Sequence, residues 1–249
     1  MRRSAFAFVL ISLTVFGAQV RADEAAEARS LVEEAVKAHG GATALAQLKL
    51  MTRLSSGTMF LLGQEAPFRD ELVVSLPTKW RWNLETGAAG RQTVMTLIMN
   101  GNNAWQGSGL LVAPMPQERV GELQDESQVL WLGTLMPLLQ EKDLQLGLTK
   151  DVDVNGKPAH GIRVSRANKS EIKLYFDGQT HLLVKIARRA REAGIDIDKE
   201  YFYGDHQAVQ GVMMPKRYSE WTSGRKLVDV NSISYKFHDK LDDKLFEKP

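Results

Sequence analysis

The 249-residue chain has no cysteine. Disulfides and thiol chemistry are excluded, and so is a lipid anchor of the kind that needs a cysteine after the leader. Long apolar runs are missing too. Beyond the N-terminus no stretch reaches the roughly 18 uninterrupted apolar residues of a spanning helix. The closest, 129–139, is interrupted by Gly133, Thr134 and Pro137. The histidines, at 39, 160, 181, 206 and 238, show no zinc-ligand spacing. Gly107-Ser108-Gly109 lacks the third glycine of a dinucleotide loop, and neither a nucleophile elbow nor a phosphate loop occurs. Asp196, Asp198 and Glu200 align three carboxylates on one strand face, but no calcium-loop pattern accompanies them, so they read as a solvated face. These absences point to a binding protein and not an enzyme, with no cofactor, metal or catalytic residue expected.

What is present begins with an export signal. Arg2 and Arg3 precede an apolar run from Ala5 to Phe16, and Val20-Arg21-Ala22 places small residues before Asp23. Residues 1–22 therefore read as a secretory signal peptide, and 23–249 as one domain of a soluble periplasmic protein. The full chain carries 32 Lys+Arg against 30 Asp+Glu. Loss of Arg2, Arg3 and Arg21 leaves 29 basic residues against 30 acidic, which gives no support to nucleic-acid binding.

Glu24 to His39 repeats apolar residues at three- and four-residue spacing and stops at Gly40-Gly41, the pattern of a helix. A short second helix is expected over 43–48. From Met51 the period becomes two. Strands are expected at about 49–61, 67–76, 79–86, 91–99 and 103–106, then helices at 117–127 and 129–139. Further strands follow at 143–154, 158–166, 170–176, 180–189, 195–203, 212–221 and 225–237. Such a series, linked mostly by hairpins, predicts a large curved antiparallel sheet approaching a barrel, with helices on its concave side.

Trp80, Trp82 and Leu84 alternate with Lys79, Arg81, Asn83 and Glu85, so one strand face is aromatic and the other charged. Asn100-Gly101 is a hairpin turn that brings back Trp105. The apolar face needs a cover, either a packed core or something held in a cavity.

Pro77-x-x-Trp80-x-Trp82, Asn100-Gly101-x-x-x-Trp105, the helical insert after the fifth strand and the closing Leu241 to Pro249 together resemble the LolA-like periplasmic lipoprotein carriers. The resemblance implies an α+β fold, an incomplete antiparallel β-barrel around an apolar cavity with helices as lid, and binding of acyl chains. One departure stands out: the carriers typically place arginine just before the proline of the aromatic strand, where this chain has Leu76. Without that cation, the lid is expected to be held mainly by apolar contact and its opening to be insensitive to salt.

The ligand-binding residues expected are Trp80, Trp82, Leu84, Met95, Leu97, Met99 and Trp105 on the sheet, and Leu130, Leu135, Met136 and Leu139 on the lid. Lys185, Arg188, Arg189 and Arg191 form a basic stretch, either a solvated strand end or a contact for anionic head groups. The expected function is a monomeric carrier of a lipid or acylated molecule, with a donor or acceptor protein at the inner or outer membrane. The alternative is an envelope sensor or assembly factor that binds a protein partner and carries no lipid.

Overall fold

A computed structural model describes residues 12–61, 63–88, 91–108, 111–192 and 194–248. Of the expected signal segment, residues 1–11 lie outside the described residues, and 12–22 are described in backbone only. Helix α1 (Ser12–Ala38) runs through the expected cleavage point without a break. It ends at Gly40 and Gly41, both at positive φ, and α2 (Ala42–Leu45) continues into a 3-10 turn, Ala46–Lys49.

Six strands then follow as a meander: β1 (Leu50–Leu61), β2 (Gln64–Ser75), β3 (Lys79–Ala88), β4 (Arg91–Asn100), β5 (Asn103–Ser108) and β6 (Leu111–Pro114). Two helices come next, α3 (Gln117–Gly133) and α4 (Met136–Gln140). A second meander contains β7 (Gln145–Val154), β8 (Lys157–Ser165), β9 (Ile172–Asp177), β10 (Leu183–Glu192) and β11 (Ile195–Gly204). After a small hairpin, β12 (Gln207–Val209) with β13 (Val212–Met214), come β14 (Arg217–Thr222) and β15 (Arg225–Phe237). A 3-10 turn at Asp243–Phe246 ends the described chain against β3 and β4, where Phe246 and Ile98 are both fully buried.

Among the described residues the main sheet has 13 strands in the order β6-β5-β4-β3-β2-β1-β15-β14-β11-β10-β9-β8-β7. It does not close into a barrel: β6 and β7 are free edges. Pairing breaks register at Ser56/Gly57, Glu220/Trp221, Leu183/Lys185 and Thr149/Val152. An extra residue in one strand sharpens its bend and twist, which accounts for the curl of the sheet. The topology also dictates where the lid goes. The chain leaves the first meander at β6 and re-enters at β7, the opposite edge, so α3 and α4 are the link between the two edges. Accordingly α3 touches β4 and β5 on one side and β10 on the other.

Three differences from the sequence reading have local causes. The two helices expected at 117–127 and 129–139 are one helix to Gly133 and a short second one. The break falls at Leu135, whose φ of 67° no α-helix accommodates, two residues before Pro137. The strand expected over 212–221 is two, separated by Pro215, which has no N–H for a ladder. Strands β6 and β12 are short and lie outside the expected strands.

Candidate functional site

The register of β1 to β4 builds the concave face in rows. Met51, Val74, Trp80 and Met99 stand side by side, as do Arg53, Leu72, Trp82 and Leu97 in the next row, then Ser55, Asp70, Leu84 and Met95. Helix α3 lies across this face with Leu123, Val129 and Leu130 turned toward it, and between them is a cavity of about 580 Å³. Its far wall comes from β10, β11, β14 and β15, with Tyr201, Tyr203, Tyr218 and Tyr235. Tyr218 stacks between Tyr201 and Tyr203, centroids 6.4 and 5.9 Å away.

Of the residues expected to bind a ligand, Trp80, Trp82, Leu84, Leu97 and Leu130 line this cavity. Met95 and Met99 share their sheet face but pack into the surrounding clusters. Leu135 and Met136 are buried in the core that joins α1 to β7–β10, and Leu139 packs against it. Trp105 pairs with Ile98, which pairs with Arg81, so it stands on the convex face, away from Trp80. The reason is register: Asn100 pairs with Asn103 across the hairpin, which aligns Ala104 with Met99 and leaves Trp105 on the opposite side.

The cavity is not lined by apolar side chains alone. Asp70 accepts hydrogen bonds from Arg53 at 2.8 Å, from the indole N–H of Trp82 at 2.7 Å and from the Ser55 hydroxyl. The Arg53 guanidinium also lies 5.8 Å from the centre of the Tyr218 ring. Facing them is a second network around Lys199, which is 8 % exposed. Its ammonium lies 2.9 Å from Glu126, 2.7 Å from Glu192 and 3.1 Å from Glu220. Glu126, on α3, is also paired with Arg188 and accepts from the Tyr201 hydroxyl at 2.9 Å. Burial alone would push the Glu126 carboxyl up, but Lys199 and Arg188 outweigh it and hold it below the usual range. Burial and the neighbouring Glu126 push the Tyr201 hydroxyl well up, so it remains a donor.

To the mainly apolar closure expected from Leu76 the structure adds polar ties. Leu76 does line the cavity, but α3 is tied to β10 and β11 through Glu126. Ser127 adds a hydrogen bond of 2.6 Å to the Pro77 carbonyl, and Gln124 one of 3.2 Å to that of Gly101. The sequence did carry a signal for these groups. Phe68, Asp70, Leu72 and Val74 alternate on one face, so Asp70 is a charge in apolar register. Glu126 is likewise spaced three residues from both Leu123 and Val129.

The basic stretch divides. Arg188 turns inward to Glu126, whereas Arg189 and Arg191 stand opposite Asp198 and Asp196, and Lys185 lies 2.5 Å from Glu200. Apart from Arg188, the basic stretch thus partners the three in-line carboxylates across the strands. No metal-holding cluster of His, Asp and Glu occurs among the described residues. No described helix is long and apolar enough to cross a membrane.

At the other end of the cavity, buried His39 donates from Nδ1 to the Ala35 carbonyl at 2.8 Å. Its Nε2 accepts from the Leu183 N–H at 3.4 Å, and its ring meets that of His206 edge-on, 6.0 Å between centroids. Burial lowers its pKa to about 4.

No family model matches the chain, and none of the curated proteins compared with it does. Solved structures do match. A LolA superfamily protein from Nitrosomonas europaea superposes with a TM-score of 0.55 at 13% identity, over 89% of this chain and 97% of that one. An outer membrane lipoprotein-sorting protein domain from Vibrio parahaemolyticus gives 0.54 at 10% identity, over 89% and 97%. A DUF1329 family protein from Desulfovibrio piger gives 0.50 at 11%, over 88% and 96%. At these identities the likeness is one of fold, and the chain adopts the LolA-like fold.

Proposed function

We propose that this chain is exported by its first 22 residues and acts in the periplasm as a carrier or binding protein for a lipid or lipid-modified molecule. The observation that supports this is the cavity under α3. At about 580 Å³ it is within the range of roughly 300–1,000 Å³ usual for small-molecule sites, and Leu72, Val74, Trp80, Leu97, Leu123 and Leu130 give it an apolar side. Burying an acyl chain contributes about 0.8 kcal/mol per methylene, so one long chain supplies on the order of 10 kcal/mol before ordering costs. That is ample for capture and slow for release, which is why handover would call for a membrane acceptor or a partner protein. The likeness to a LolA superfamily protein and to a lipoprotein-sorting domain supports the same reading.

The test is displacement of an environment-sensitive apolar dye from the purified protein by fatty-acid and phospholipid competitors. Saturable binding is expected, weakened at least about tenfold by Leu130→Asp with the far-UV circular dichroism spectrum retained. Absence of saturable binding of the dye and of every competitor would contradict the proposal.

A further inference from the structure

Three side chains on the cavity wall carry buried nitrogen donors that have no acceptor among the described residues: Nε of Arg53, Nε of Arg188 and the indole Nε1 of Trp80. All three are N–H groups, and none can accept. A ligand that is hydrocarbon throughout would leave them unpaired. A ligand carrying oxygen acceptors would pair them, with a modest swing of the guanidinium or indole toward the cavity.

Charge narrows the choice. The lining carboxylates outnumber the lining lysines and arginines six to five. The central cations are already matched, Arg53 by Asp70, Arg188 by Glu126, and Lys199 by three carboxylates. A net anion would therefore enter a wall with no surplus positive charge, in surroundings where desolvation penalises it. An uncharged carbonyl or hydroxyl satisfies the donors without that penalty.

Resting on the lipid-binding reading above, we infer that the occupant is an uncharged acyl ester of a polyol. Its chain lies along Leu72, Trp80 and Leu97, and its ester and hydroxyl oxygens accept from Arg53, Arg188 and Trp80. This head-group selectivity follows from the wall of this chain and is separate from whether an acyl chain binds at all.

The experiment is dye displacement from the full protein by three competitors of equal chain length, delivered from cyclodextrin: monomyristin, myristate and tetradecane. Monomyristin is expected to bind about tenfold more tightly than either of the others. Trp80→Phe removes the unpartnered N–H together with one ring of the indole, so retention of the fold is checked by far-UV circular dichroism. The variant is expected to weaken monomyristin about fivefold more than it weakens tetradecane, so the readout is the preference between the two. The paired variant Arg53→Gln with Asp70→Asn, which removes donor and counter-charge together, should erode the same preference. Tightest binding by myristate, equal binding of tetradecane and monomyristin, or a preference intact in both variants would overturn the inference. No binding by any of the three would remove the lipid-binding reading itself.

Discussion

The Lys199 ammonium lies 2.9 Å from the carboxylate of Glu126, a residue 73 positions away on the helix that covers the cavity. One carboxylate on α3 thus meets two cations on separate strands, since Arg188 on β10 pairs with it as well. The apolar contacts of Leu123, Val129 and Leu130 favour closure without fixing one position, because dispersion and burial are not directional. The ion network is directional, and it supplies registry.

Removing that carboxylate should therefore loosen the lid more than it disturbs the sheet. Glu126→Gln leaves Arg188 without its carboxylate partner and Lys199 with two of three. A loss of about 3 kcal/mol is expected in urea unfolding, from the usual cost of breaking a buried pair. Amide hydrogen exchange should accelerate in 117–133 before it does in β1 to β3. Uniform acceleration across the sheet would mean that the network stabilises the whole fold and does not act on the lid.

His39 should make stability fall with acid. Its two ring nitrogens face a carbonyl and an N–H, which fixes the neutral form with the proton on Nδ1. With the native pKa lowered to about 4 and an ordinary value of 6.5 in the unfolded chain, the unfolded state takes up the proton first as pH falls. Stability is then fully present above about pH 6.5 and lost progressively toward pH 4, by on the order of 3 kcal/mol. His206, which faces it and whose pKa burial also lowers, adds with the same sign. Glu126 does not contribute until the pH drops through the carboxylate range. Urea unfolding between pH 7 and 4.5 should show this slope, and His39→Gln should flatten it. An unchanged slope in the variant would assign the effect elsewhere.

Adjacent glycines offer a stereochemical check. At Gly40, φ is +111° and an added Cβ would lie 2.1 Å from the Gly211 carbonyl oxygen, on the turn between β12 and β13. At Gly41, φ is +86° but nothing lies within 4 Å. Gly40→Ala should cost more than about 2 kcal/mol and Gly41→Ala about 1 kcal/mol, measured by thermal or urea unfolding. Equal costs would show that α1 does not approach the hairpin as closely as described.

Much of the fold was legible because alternation and helical spacing are strong signals over long elements. The 225–237 strand and the Trp80-Trp82-Leu84 face emerged where the periodicity placed them. Short elements were not legible: β6 and β12 have too few residues to show a period. The site was half legible. The apolar rows of β3 and β4 could be read strand by strand, but the cluster around Lys199 brings together residues from α3, β10, β11 and β14. That juxtaposition arises only once the second meander returns to pair β15 with β1. Glu126, three residues from both Leu123 and Val129, was a local hint of it, as Asp70 in the register of Phe68, Leu72 and Val74 was of the Arg53 network.

The proposal that the cavity holds an acyl chain is tested most directly by native mass spectrometry of the protein purified from the cells that make it. Expected are gently ionised species heavier than the polypeptide by one lipid mass, lost on collisional activation and identified after extraction as an acyl lipid. The adduct should be largely absent from Leu130→Asp, whose new charge faces the cavity. A bare polypeptide mass under the gentlest conditions, with no lipid in the extract, would contradict the account.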